Sequence, residues 1–165
     1  MPTRLGKRGE RHGTCIRCLN KICGLGLALL FVVGLTHSAH AIDRAEILWA
    51  IHQVENPNDS VRLGRRVELG PYQFRLSTWR MYTDKPFYMA VNREESDVVA
   101  QKHFDWIKSG LERAGLEVTP NSVACAWNAG LKATVRGRLP HSSKNYASRV
   151  ENTVLRMKAQ QIAER

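Results

Sequence analysis

The chain has 165 residues, 43% of them apolar, with a formal net charge of +10; this allows one modest domain and excludes two full-sized ones. The charge invites a nucleic-acid partner, but six basic residues and one acid lie in the first 41 residues, so that segment carries +5 and the remainder 10 − 5 = +5. So mild a surplus attracts anionic polymers in general and argues for no nucleic-acid partner.

From the N-terminus, Arg4, Lys7, Arg8, Arg11, Arg17 and Lys21 precede the apolar run "ICGLGLALLFVVGL", and "THSAHA" supplies small residues at Ala39 and Ala41. This is the pattern of an export signal, residues 1–41, cleaved near Ala41 to leave a periplasmic or secreted domain of residues 42–165. The run of 14 apolar residues is short beside the roughly 20 that a membrane span needs. Retention of the segment as an N-terminal anchor is the alternative. Cys15, Cys18 and Cys23 all fall inside it, so "CIRC" is a poor metal or redox motif, and cleavage leaves Cys125 alone with no intrachain disulfide.

Asp43 and Glu46 form a capping-box pattern before Ile47, Leu48, Ala50, Ile51 and Val54, which predicts a helix over 44–55. Asn56-Pro57 ends it. In "SVRLGRRVELG", Val61, Leu63, Val67 and Leu69 alternate with polar residues around Gly64, predicting a small hairpin there. A Gly-Pro turn and a short helix follow. Asn92 and Glu95 open another helix, whose apolar residues are Val98, Val99, Phe104, Trp106, Ile107 and Leu111, and Gly110 and Gly115 mark its end. Thr119-Pro120 starts a helix that Gly130 stops. "RGRLPHSS" reads as loop, and the last helix begins near Ser143, with Tyr146, Val150, Val154 and Met157 on one face and a polar, fraying tail. The sum is a mainly α single domain of about five helices and one small β-hairpin.

Four motifs stand in order: Glu55 at a helix end, "GPYQ" at 70–73, "AWNAG" at 126–130 and "NYASRV" at 145–150. This series resembles the lysozyme-like superfamily, most closely soluble lytic transglycosylase domains, over residues 43 to about 157. "GPYQ" is also similar to invertebrate-type lysozymes, whose disulfide framework is absent. The resemblance implies a lysozyme-like α+β fold with a substrate cleft that cuts the β-1,4 bond between MurNAc and GlcNAc in peptidoglycan as a lytic transglycosylase forming 1,6-anhydro products, with a hydrolytic lysozyme as the alternative. It implies one catalytic Glu, no cofactor and no metal, with glycan strands as partner. A monomer is expected, touching a membrane only through the N-terminal segment if that is uncleaved. Glu55 stands for the catalytic acid, Gln73 and Tyr72 for the Gly-x-x-Gln turn, Trp127 and Asn128 for the Ala-Tyr-Asn-Ala-Gly segment, with Trp in place of Tyr, and Tyr146 for the late Tyr that approaches the acid.

The chemistry of these residues fits that role independently. A helix C-terminus carries partial negative charge, so a carboxylate there is disfavoured as an anion and holds its proton, as a glycosidic general acid must. On position alone the plainer reading of Glu55 is an exposed Glu bridged to Arg62 or Arg65, and the other three motifs reverse that preference. The Gln73 amide can donate to and accept from a sugar. Trp127 or Tyr72 could stack on a sugar face, although Trp127 fits a core equally well. Asn128 suits contact with the cleft or substrate, and a Tyr146 phenol would orient Glu55.

In the transglycosylase branch one Glu serves as acid and then base, and the C6 hydroxyl of the sugar closes a 1,6-anhydro ring. Asp59, Glu68 and Asp84 are possible second acids; if one reaches the cleft, hydrolysis by a lysozyme route becomes the better reading. His52 and Glu55, with His103, His141 and Cys125, form a competing metal hypothesis that lacks a second pair at ligand spacing. The alternative from another class is a non-catalytic, exported wall-binding module.

Overall fold

The protein is described from a computed structural model, which covers residues 43–164. These belong to the compact unit Ser38–Arg165. The expected export signal and its three cysteines lie outside the described residues.

The chain is mainly helical. Its α-helices are α1 (Arg44–Glu55), α2 (Leu76–Arg80), α3 (Arg93–Arg113), α4 (Pro120–Ala129), α5 (Leu131–Val135) and α6 (His141–Ala163), with a 3-10 helix at Phe87–Val91. Strands β1 (Glu68–Leu69) and β2 (Phe74–Arg75) form one antiparallel pair, Glu68 opposite Arg75 and Leu69 opposite Phe74. Helix α6 packs against both α1 and α4. The core between them takes Ile47 and Ile51 from α1, Val99, Ile107 and Leu111 from α3, Val123 from α4, and Val150 and Val154 from α6, all buried. Burying each such side chain contributes roughly 1.5–3 kcal/mol.

Helix α1 has the expected bounds, but its start is not a full capping box: Asp43 accepts from the Ala45 N–H at 2.8 Å, while Glu46 turns to Lys158 at 3.1 Å. The Asn92 cap of α3 accepts from the Glu95 N–H, and Thr119 and Ser122 make a reciprocal box at α4. Gly130, at φ 88°, ends α4 as expected, and the helix that follows it was not anticipated. The chain resumes at once as α5, and α6 begins at His141, two residues early, with Ser143 inside it. The C-terminal segment is helical to Ala163, with Lys158 tied to Glu46.

The hairpin is displaced from its expected place. Val61, Leu63 and Val67 are exposed, and only Leu69 of the alternating run is buried. Strand pairing forms instead around Gly70–Gln73, where Gly70 (φ 81°) lies so close to the Ala90 carbonyl oxygen that an added Cβ would stand 1.7 Å from it. That close approach fixes the turn, and Val67, at φ 64°, breaks the extended path before it. On α3, Val98 and Trp106 lie on the exposed side rather than the core stripe. No helix among the described residues is long and apolar enough to cross a membrane.

Candidate active site

Helix α1 ends at Glu55, and the chain after it is held by one buried amide. Asn56 accepts from the Ser60 N–H at 2.8 Å and donates to the carbonyls of Ser60 (2.9 Å) and Gly70 (3.2 Å). The Gly70 carbonyl also accepts from the Gln73 backbone N–H (3.1 Å) and from Gln73 Nε2 (2.8 Å). Asn56 therefore ties the residue after the acid to the "GPYQ" turn. Sequence reasoning saw it only as a helix stop, because its partners are 4 and 14 residues away. The three non-glycine residues with left-handed backbone among those described, Asp59, Val67 and Gln73, all fall between the acid and the end of this turn. Such strain persists only where the surroundings enforce it.

Glu55, Gln73, Trp127 and Asn128 line one pocket of about 570 Å³, together with Glu68. The Glu55 carboxyl is half-buried, and burial pushes its pKa up from 4.5 to about 7. The Tyr146 hydroxyl pulls it back, the negative charge of Glu68 raises it further, and Arg149 lowers it. Arg149 donates to the Val54 carbonyl at 3.4 Å, so the partial negative charge of the α1 terminus is partly answered there. Burial thus does most of what the sequence argument assigned to the helix end.

Tyr146 is buried on α6, and burial and Glu55 hold its phenol well above its usual pKa. It faces the acid across 91 positions of sequence (146 − 55), close enough to influence it, yet its hydroxyl makes no hydrogen bond of ordinary geometry. A buried hydroxyl without a partner is costly, and Glu55 is the group it is placed to serve. Gln73 spends one N–H on Gly70, which leaves its second N–H and its carbonyl oxygen. Asn128 is exposed at the end of α4, its Oδ1 accepting from Ser143 Oγ at 2.8 Å.

Trp127 is half-buried against Phe74 (5.7 Å between ring centroids) and edge-on to His103 (4.7 Å), so it is partly core and partly pocket wall. Tyr72 does not take the position expected of a stacking wall: it is 2% exposed, and its hydroxyl donates to Asp97 Oδ1 at 2.6 Å, away from the pocket. Residue 72 is buried beside Phe74, their ring centroids 5.7 Å apart.

Two pocket residues gain importance. Glu68 was one of three undistinguished second acids, and it lines the pocket with its side chain 20% exposed. Its oxygens lie 3.5 Å from Arg75 and accept from the Arg66 N–H at 3.0 Å. Asp59 instead pairs with His52 at 2.8 Å, and Asp84 is exposed. His103, considered only as a metal ligand, lies in the pocket wall beside Tyr82 (2.9 Å), and burial lowers its pKa to about 4, leaving it neutral at pH 7.

His52 is buried on α1, one turn before Glu55, and does not line the pocket. Its Nδ1 lies 3.0 Å from the Arg93 guanidinium, which can only donate, so the ring proton sits on Nε2, facing Asp59. Among the described residues no three His, Cys, Asp or Glu side chains converge as metal ligands, so the set from His52 to Cys125 is not assembled. Comparisons with protein-family models, curated proteins and solved structures found no match for this chain.

Proposed function

We propose that this protein is an exported glycosidase that cuts the β-1,4 bond between the amino sugars of peptidoglycan, with Glu55 as general acid. The observation that carries this reading is a half-buried carboxyl with a pKa near 7, in a pocket large enough for a sugar and opposite a buried phenol. A carboxylic acid that keeps its proton near neutral pH is what protonation of a leaving glycosidic oxygen requires. Gln73 and Asn128 supply amides for sugar hydroxyl or N-acetyl groups, Trp127 supplies an apolar wall, and Tyr146 orients the acid.

The presence of Glu68 in the same pocket favours hydrolysis. As an anion on the pocket wall it can stabilise positive charge on the sugar or activate a water, the second role in a two-carboxylate mechanism. One observation favours the single-carboxylate transglycosylase route: both oxygens of Glu68 are already engaged by Arg75 and the Arg66 N–H. In that route Glu55 takes back the proton of the sugar's C6 hydroxyl. Mass spectrometry of products from purified sacculi separates the two, since reducing ends mark hydrolysis and anhydro ends mark transglycosylation. Absence of both, with sacculi still bound, leaves a wall-binding module.

The pH profile supplies a further check. Activity that needs protonated Glu55 holds below about pH 7 and falls above it. Glu68→Gln removes a negative charge that raises the acid's pKa, so the alkaline limb moves to lower pH, whereas Tyr146→Phe removes a group that lowers it, and the limb moves up. Limbs that move together, or not at all, would dissociate these residues from the acid.

A further inference from the structure

A second groove, of about 750 Å³, runs beside the contact between α1 and α6. The two helices are antiparallel there, Arg149 reaching the Val54 carbonyl and Lys158 pairing with Glu46. Trp49, Leu155 and Met157 form an apolar wall, the first two of them exposed. Arg149 and Arg156 project from one face of α6, two turns apart, which sets their backbones about 10 Å apart at 1.5 Å per residue.

Among the described residues neither guanidinium has a carboxylate at ion-pair distance. Arg149 donates to the Val54 carbonyl at 3.4 Å and Arg156 to Thr153 Oγ1 at 3.1 Å, whereas Arg44, Arg75 and Arg93 each pair with an Asp or Glu. None of the described lining residues is acidic, and Gln53, Asn152 and Gln160 add amides that can both donate and accept. Two exposed guanidiniums with amides between them, over an apolar wall, match an extended peptide carrying carboxylates. At about 3.3–3.6 Å per residue, carboxylates two to three residues apart span about 7–11 Å, the spacing of the two arginines.

We infer that the α1–α6 groove binds the acidic peptide branch that peptidoglycan carries on its amino sugars, with Arg149 and Arg156 holding two of its carboxylates. The inference rests on the glycan-cleaving reading above and gives that substrate a second point of attachment. Val54, the residue before Glu55, lines the groove and accepts from Arg149, so the groove begins at the end of α1, where a branch on the sugar at the cut would enter. The peptide lies along α1 towards Trp49.

The test titrates the full chain with the sugar-free tetrapeptide branch, its carboxylates free or amidated, and follows heat of binding. The free acid binds; amidation weakens it about tenfold or more, as does Arg156→Gln, while Arg156→Lys retains part of the affinity. Amidation needs no variant, so a misfolded substitution leaves the test intact. In the same preparation, the ratio of KM for peptide-bearing to peptide-free glycan rises in Arg156→Gln. No tetrapeptide binding, or binding indifferent to amidation, overturns the inference even if glycan is cut. Binding without any cleavage overturns the glycosidase reading and leaves the groove as a peptide site.

Discussion

If Glu55 is the general acid proposed above, replacing it by Gln is expected to lower turnover of purified sacculi by about 10²- to 10⁴-fold, and above pH 7 the same change is expected to make the fold more stable. Gln keeps the size of the side chain but cannot give up a proton. The stability effect follows from the pKa being about 7 when folded against 4.5 otherwise. Below pH 4.5 the carboxyl is protonated in both states and the variant gains nothing. Between pH 4.5 and 7 the unfolded chain ionises while the folded one resists, so wild-type stability falls as pH rises, by about 3 kcal/mol in all. At pH 8 the variant lacks that loss. Urea unfolding of both chains at pH 4 and pH 8 measures it; equal stability differences at the two pH values would place the carboxyl in water. An inactive but stabilised variant separates loss of the acid from loss of the fold.

Gly70→Ala should cost on the order of 3–5 kcal/mol. The new Cβ would meet the Ala90 carbonyl oxygen at 1.7 Å, a backbone atom that no rotamer change can move, at a φ of 81° that L side chains avoid. The clash pushes the turn away from the 3-10 helix and pulls Gln73 out of line with Glu55. Gly115→Ala is the control: it has a comparable φ of 70° but nothing within 4 Å of its added Cβ, and the expected cost is about 1 kcal/mol. A denaturant midpoint for Gly70→Ala no lower than that of Gly115→Ala would show that the close approach is not real.

Local chemistry was legible in the sequence where one turn of helix decides it. The bounds of α1, the Asn92 and Thr119 caps and the Gly130 stop depend on residues within four positions of one another. The position of the hairpin was not, because a distant carbonyl at Ala90 outweighs an alternating pattern that includes three exposed apolar residues. The outward tilt of Val98 and Trp106 on α3 likewise depends on which neighbours α3 meets, and periodicity does not carry that. At the site, the helix end alone left Glu55 looking like an exposed, ion-paired Glu, and the three later motifs singled it out, with Gln73 coming from the turn. Tyr72 could not be distinguished from an exposed ring without its partner Asp97, 25 positions on. Glu68 could not be preferred to Asp59 or Asp84 until the strands paired, since only the fold decides which carboxylate faces Glu55.

The carbonyl of Gly70 has a mechanical consequence. It is the common anchor of Asn56, which follows the acid, and of Gln73 on the opposite wall. The chain just after Glu55 and the Gln73 amide are therefore registered on a single backbone oxygen. Residues 61–63 at the rim could be rewritten and that registration would survive, whereas a side chain at Gly64 would meet Gln73 Oε1 at 2.8 Å and disturb it.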